Sequence, residues 1–478
     1  MATSHDSSIP LRSYDDLFVP FHESEKTPDK YRIGAEAEKF GVDRQDGRPL
    51  HYDDASGRSV KRVLETLVSR HGWTPEPEYA GGPLIALRRG NASITLEPGG
   101  QLELSGAPLL TIHEIDEETR GHLAEIRDIS DDLGVVWLGM GFHPLAKQVE
   151  LDWVPKTRYG IMNVYLPTKG THGLDMMRRT ATVQANFDYL DEADALRKLR
   201  LSMRLSPVVT AMFASSPFYE GKPFGGLSYR AKVWLSVDHE RQGLVPAIWD
   251  EKAGYRQYVE WALDAGMFLV KRPDQLVKNT GQSFRSFMND GFEGHKPNAN
   301  DWETHLNTLF PEVRLKRTLE VRGADSLATR YAAALPALWT GLLYDDKALA
   351  EATELTESFS YDEILALRSA IGDTALAGTF RGKPLADLAN QLIDLATQGL
   401  KRRNYLDRHG KDESVHLAAL AKLTSLGKSP AHELLDAYAS SGNALSASIA
   451  VAETVSRGLA HSGLSPIFVD ARRLEIAQ

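Results

Sequence analysis

The chain contains no cysteine at all. Disulfides, thiolate metal sites, iron–sulfur clusters and cysteine nucleophiles are therefore excluded. A thiol substrate could be handled without trapping a protein thiol as a mixed disulfide. Positive charge is not in excess either: 55 Lys and Arg stand against 65 Asp and Glu, a net charge of −10. That balance favours neither nucleic acid nor an anionic membrane as a partner. Long apolar runs are missing. The longest, Ala332 to Tyr344, is about 13 residues, carries Pro336 and is too short to cross a bilayer. Met1 to Lys30 has neither the charged-then-apolar pattern of a signal peptide nor the Arg-rich pattern of a transit peptide. Cytoplasm is the default expectation.

Several familiar motifs are absent as well. No G-x-G-x-x-G sits at a strand–helix junction, and no G-x-S-x-G elbow occurs. Gly427-Lys428-Ser429 resembles the end of a phosphate-binding loop, but Lys422 stands where a glycine is required and Pro430 follows. His143, His172, His239, His295 and His305 show no zinc-site spacing.

What is present is four short segments of carboxylates, amides and arginine at strand-like spacing. They are Arg32 to Glu38, Thr95 to Glu103, Thr182 to Asn186 and Thr318 to Arg322. Side chains two apart on a strand share a face, roughly 6–7 Å from one another. Four such strands side by side would form a wall of oxygen ligands wide enough for two or more hard cations, as needed for a metal-bound nucleoside triphosphate. Glu36 and Glu38 have small or apolar neighbours, Ile33, Gly34, Ala35, Ala37 and Phe40. Such neighbours point to an interior strand, where two carboxylates cost several kcal/mol without cations; the alternative is the solvated face of an edge strand. Glu97 and Glu103 flank Pro98-Gly99-Gly100, either a polar turn or a strand interrupted so that two acids converge. Gln184 and Asn186 are weaker ligands that could instead orient a substrate. Glu320 and Arg322 share a face, as a surface ion pair or as a cation ligand beside a phosphate-binding arginine. Three basic clusters could meet this wall: Lys156-Thr157-Arg158, Arg178-Arg179 and Arg230-Ala231-Lys232.

The pattern predicts an α+β chain with three parts: a lead over 1–30, a catalytic region over 31–325 and a helical region over 326–478 packed on it. Strands are expected over Arg32–Val42, Leu84–Arg89, Ala92–Leu96, Gln101–Ser105, Val135–Met140, Ala181–Asp188, Tyr229–Asp238 and Thr318–Gly323. Helices are expected over Tyr14–Phe21, Val60–His71, Ile112–Leu133 and Ala193–Phe213, the last bent or divided by Pro207. Further helices are expected over Tyr331–Tyr344, Ser360–Ile371, Pro384–Asn404, Val415–Leu426 and Ala431–Leu459.

Together these segments resemble the plant-type and proteobacterial glutamate–cysteine ligases. The likeness rests on Tyr31-Arg-Ile-Gly-Ala-Glu-Ala-Glu-Lys-Phe-Gly41, Ile94 to Pro108, Gly173 to Asp188, Ser228 to Trp234, Asn300 to His305 and Phe310 to Asp325, in that order. The resemblance implies a catalytic region related to glutamine synthetase, with a curved antiparallel sheet forming an active-site funnel. It implies Glu36, Glu38, Glu97, Glu103 and Glu320 as ligands of two or more magnesium ions, with manganese also suitable. Gln184 and Asn186 would serve the metal or substrate end. Arg179, Arg230 and Arg322 would meet the glutamate carboxylates or the phosphoryl group, with Trp234 at the substrate. Glutamate, cysteine and ATP are the implied substrates, and a homodimer is compatible with it. Thr180-Ala181-Thr182 departs from the Thr-Cys-Thr of many relatives. Redox control through disulfides is out of reach of this chain. Three rivals share the same residues: a ligase of this fold using another amine, an inactive regulatory relative, and a phosphotransferase that forms no amide.

Overall fold

The computed structural model describes residues 9–272 and 275–453. Its centre is an antiparallel sheet of nine strands: β1 (Ile33–Asp43), β2 (Thr74–Pro77), β3 (Leu84–Arg89), β4 (Ala92–Leu96), β5 (Leu102–Ser105), β6 (Val135–Leu138), β7 (Val183–Phe187), β8 (Val313–Leu315) and β9 (Leu319–Val321). The order is β8-β9-β7-β1-β5-β4-β3-β2, with β6 paired to the far half of β1. The path is open, not closed into a barrel, and the architecture is α+β as expected. The four segments singled out in the sequence therefore lie on neighbouring strands.

Register decides what they share. Glu320 lies across from Asn186, Glu36 from Gln184, and Glu38 from Glu103. Residues directly opposite on antiparallel strands point to one face. Glu36, Glu38, Glu103, Gln184, Asn186, Glu320 and Arg322 accordingly share a face. The other face carries Ile33, Val183, Ala185, Phe187, Leu319, Val321, Leu102 and Leu104, all buried. A period of two thus separates a polar wall from the core.

Eight helices matter for that core: α1 (Val60–His71), α2 (Ile112–Leu133), α3 (Thr157–Tyr165), α4 (Gly173–Arg179), α5 (Glu192–Met212), α6 (Tyr229–Val233), α7 (Ala334–Leu343) and α8 (Leu385–Arg403). One apolar cluster runs from Val183, Phe187 and Val321 through Leu199 and Leu205 of α5 to Leu338 and Leu342 of α7 and Leu392 and Leu400 of α8. A second joins α1 and α2 to the sheet through Leu64, Leu67, Ile126, Ile94 and Leu104. Helices α7 and α8 meet at glycines: a Cβ on Gly341 would fall 2.2 Å from the Ala396 carbonyl oxygen. Close backbone approach of this kind admits only glycine.

The structure departs from these expectations in places. Tyr229–Asp238 is not a strand; it begins as helix α6, because the Ser228 hydroxyl accepts the Ala231 N–H at 3.0 Å as an N-cap. Of the two alternatives for Pro207, division does not occur: helix α5 continues through it. Ala431–Leu459 is two helices, Pro430–Ser440 and Leu445–Ala452, separated where Gly442 and Asn443 adopt φ of 73° and 69°; its end beyond residue 453 lies outside the described residues. The helix Asp346–Thr356 was not anticipated. No helix among the described residues is long and apolar enough to cross a membrane.

Candidate active site

A cleft opens on the polar face of the sheet. It is lined by Glu38, Glu97, Gln101, Thr182 and Arg322 from the sheet side, and by Arg158, Tyr159, Met176, Met177, Arg230, Trp234, Asn307, Thr308 and Phe310 from the segments above it. Glu36, Glu103, Gln184, Asn186 and Glu320 stand on the same sheet face beyond this lining.

The turn after β4 brings Glu97 into the cleft. Gly100 adopts φ of 84°, and a Cβ on Gly99 would fall 2.4 Å from the Arg178 carbonyl oxygen. Gln101 pins the turn: its side-chain oxygen accepts the Gly99 N–H at 2.9 Å, and its amide donates to the Thr180 carbonyl at 2.7 Å. The two acids flanking Pro-Gly-Gly thus reach one cluster with Glu38.

Arg230, Lys156, Arg158 and Lys39 all act on that cluster, yet burial and mutual repulsion outweigh them at Glu38 and Glu103. Burial, then the charges of Glu97 and Glu103, raise the Glu38 carboxyl well above its ordinary range, opposed by Arg230 and by the Thr182 N–H, which donates to Glu38 at 2.9 Å. Glu103 is pushed up to about 8 by burial and by Glu36 and Glu97. Its carboxylate accepts the Thr95 hydroxyl. Behind the strand, buried Lys39 has its ammonium lowered to about 8 by desolvation and, among the described residues, bonds Ala37 O and His122.

The other end of the wall is the reverse. Glu320 is 1% exposed, and both of its oxygens face cations. Arg314 donates to them at 2.6 and 3.1 Å, Arg322 at 2.9 Å, and Lys316 lies at 3.2 Å. Burial alone would raise this carboxyl; Arg314, Lys316 and Arg322 outweigh it and hold it well below the usual range. Between the ends, Gln184 accepts from Arg322 at 2.7 Å, while Asn186 donates to Glu36 at 2.8 Å and accepts from Thr318.

The arginines separate into different situations. Arg322 lines the cleft, and its Nε and Nη2 meet no acceptor among the described residues. Arg230 donates to the carbonyls of Gly323 and Arg322 at 2.9 and 3.0 Å, fixing the strand end that carries Arg322. Asp325 stands behind Arg230, held by Ser215, Ser216 and Ser228. Arg179 is not brought to the cleft. Its guanidinium lies against the rings of Phe142 and Tyr219, at 4.6 and 4.8 Å from their centroids, with Asp175 and Glu220 at 3.3 Å. Arg178 stacks on Trp153, and Lys232 pairs with Asp373. Trp234 lines the cleft against Phe310 with its buried Nε1 unbonded among the described residues.

Sequence reasoning missed Arg314, Lys316, Asp325 and Tyr159. Arg314 and Lys316 carried a signal, since both alternate in phase with Glu320 and Arg322 once the hairpin is drawn. Asp325 had none, because its role depends on serines distant in sequence.

As the side chains stand, no group of three His, Asp or Glu among the described residues is arranged to hold a metal ion. The donor chemistry nonetheless suits a hard divalent cation: all-oxygen donors, two of them buried carboxylates that lie among other acids.

Comparison with known proteins shows the family. The family described as "Glutamate-cysteine ligase family 2" matches residues 32–452. A chloroplastic glutamate–cysteine ligase of Arabidopsis thaliana is 42% identical over 427 residues, covering 89% of this chain and 79% of the relative. The chloroplastic ligase B of Oryza sativa subsp. japonica is 41% identical, covering 89% and 84%. A solved glutamate–cysteine ligase of Francisella tularensis, in complex with AMP, shares the fold at 12% identity with a TM-score of 0.53, covering 88% of this chain and 87% of that one. The relatives also correct the compartment. They are chloroplastic enzymes, so the cytoplasmic expectation, which rested on a missing leader pattern and the lack of a bilayer-spanning apolar run, does not stand. By sequence over nearly its whole length, the chain belongs to glutamate–cysteine ligase family 2.

Proposed function

We propose that this protein joins the γ-carboxylate of glutamate to the amino group of cysteine, with ATP converted to ADP and phosphate, as the first step of glutathione biosynthesis. The observation that supports this reading best is the divided wall, with mutually repelling acids at one end and a cleft-facing arginine at the other. A carboxylate is a poor electrophile, so its oxygen first attacks the γ-phosphorus of ATP and ADP leaves. The cysteine nitrogen then attacks the acyl carbon of γ-glutamyl phosphate. The amine gives up a proton, phosphate departs and the amide remains.

Glu36, Glu38, Glu97 and Glu103 would hold magnesium, or manganese in its place, which when bound neutralises charge on the triphosphate. Glu320, expected as a fifth ligand, would instead orient Arg322, since both its oxygens are taken by Arg314, Lys316 and Arg322. Arg322 presents free donors to the transferring phosphoryl group. Arg230 keeps Arg322 in place through its carbonyl and adds positive charge, with Arg158, for the glutamate carboxylates. Gln184 and Asn186 orient Arg322 and Glu36. Trp234, Phe310 and the methionines of α4 form an apolar side against which the acceptor side chain would pack. Arg179 supports the cleft from outside it. Residues 31–325 would form the catalytic region, with the helices beyond them buttressing the sheet. A homodimer is tested by light scattering.

The test is phosphate release from magnesium–ATP with glutamate, adding cysteine, 2-aminobutyrate, alanine or no amine. Release that needs both glutamate and cysteine is the expected result. Preference for another amine keeps the mechanism and changes the acceptor. Silence with every amine contradicts the proposal.

A further inference from the structure

We infer that Arg314, which does not line the cleft, is a positioning residue of the reaction, acting through Glu320 on Arg322. The inference rests on the ligase reading above. Arg314 sits on β8 directly across from Glu320 on β9. It is 7% exposed, and its guanidinium binds in two directions. On one side Nε and Nη2 grip both oxygens of Glu320 at 2.6 and 3.1 Å. On the other, Nη1 donates to the carbonyls of Asn307 and Leu309 at 2.8 and 3.0 Å.

Those two directions matter because they join opposite sides of the cleft. Asn307, Thr308 and Phe310 line it from above, while Arg322 lines it from the sheet. Arg322 is itself oriented by Glu320 Oε2 at 2.9 Å, the same oxygen that Arg314 Nε holds. A two-point grip on a carboxylate fixes its plane, which a single ammonium does not. Rotation of Glu320 would therefore swing the guanidinium of Arg322 away from the reacting phosphorus. Lys316 also touches Glu320, at 3.2 Å, but as a single contact it leaves that plane free.

Arg241 provides the internal control. It is buried, pairs with Asp238 at 2.6 Å and donates to the Thr308 carbonyl at 3.3 Å, while its own carbonyl accepts the Phe310 N–H at 2.7 Å. It anchors the same loop but touches nothing on the wall. If loop anchoring were all that Arg314 did, the two arginines would behave alike.

The experiment compares Arg314→Lys, Arg241→Lys, Arg322→Lys and the 314/322 double variant in the full chain, with melting curves to set a temperature at which each is folded. Turnover and calorimetric binding of a non-hydrolysable ATP analogue with magnesium are both measured. Arg314→Lys is expected to lower kcat about a hundredfold, with KM for glutamate and cysteine within about threefold of the parent. Arg241→Lys should lower the melting temperature and leave kcat near the parent value. In analogue binding, Arg314→Lys should add nothing once Arg322 is lysine. Parent turnover combined with unchanged kcat in Arg314→Lys, equal kcat losses in Arg314→Lys and Arg241→Lys, or additive effects on binding would each overturn the inference. An inactive parent would instead defeat the ligase reading, and the binding cycle would still decide the role of Arg314.

Discussion

The two ends of one sheet face carry the same side chain in opposite electrostatic states. At one end Glu38 and Glu103 lie buried among other acids, and their carboxyls are raised. At the other, Glu320 is buried just as deeply among Arg314, Lys316 and Arg322, and its carboxyl is depressed. Burial acts the same way on all three, so the neighbours decide. The acid end stores an unmet demand for cations; the basic end has satisfied its own and presents a surplus of positive charge to the cleft. A metal–triphosphate needs both, cations bridged to protein on one side and arginine donors on the other.

The largest effect should come from removing one charge at either end. Glu38→Gln and Arg322→Met are each expected to lower phosphate release by about a thousandfold, since each removes charge stabilisation of the phosphoryl transfer. The release assay with glutamate and cysteine measures this directly, and near-parent turnover in either would break the comparison.

A smaller effect concerns pH without divalent ions. The Glu103 carboxyl is raised in the folded chain, from an ordinary 4.5 to about 8. Its contribution to stability is therefore fully present below about 4.5 and is lost as pH rises through about 8. His143 and His305 act oppositely, because burial lowers both from 6.5 to about 3. Their contribution is present above 6.5 and is lost as pH falls toward 3. Melting temperatures in a chelator should thus decline on both limbs, and Glu103→Gln should flatten the alkaline limb alone. Magnesium should raise the melting temperature more at pH 8 than at pH 5.

The smallest effect belongs to an ion pair outside the wall. Arg88 and Glu76 pair on exposed strands. Arg88→Ala should change stability by no more than about 1 kcal/mol and leave turnover unchanged. Denaturant titration would show it.

Much of this comparison was legible in the sequence, because strand spacing is local. Glu36 with Glu38 and Glu320 with Arg322 could be placed on faces from parity alone. The hairpin at Gly90-Asn91 and helices α1 and α2 were bounded by their own capping and turn residues. What escaped was decided by distant partners. Arg179 was expected with Arg230 and Arg322 at the glutamate carboxylates or the phosphoryl group, but its guanidinium lies against Phe142 and Tyr219, outside the cleft lining. Tyr229 to Asp238 was expected as a strand, and the Ser228 cap starts it as the helix Tyr229–Val233. Glu320 looked like a plain metal ligand until the facing strand supplied Arg314.

The most direct test is a pair of denaturation curves at pH 8 in chelator, for Glu38→Gln and Glu320→Gln. Neutralising Glu38 relieves like-charge repulsion and should leave the chain as stable as the parent or more so. Neutralising Glu320 strands three buried or half-buried cations and should destabilise it by about 3–5 kcal/mol. Opposite outcomes would support two ends of opposite character. Equal destabilisation by both would contradict the account.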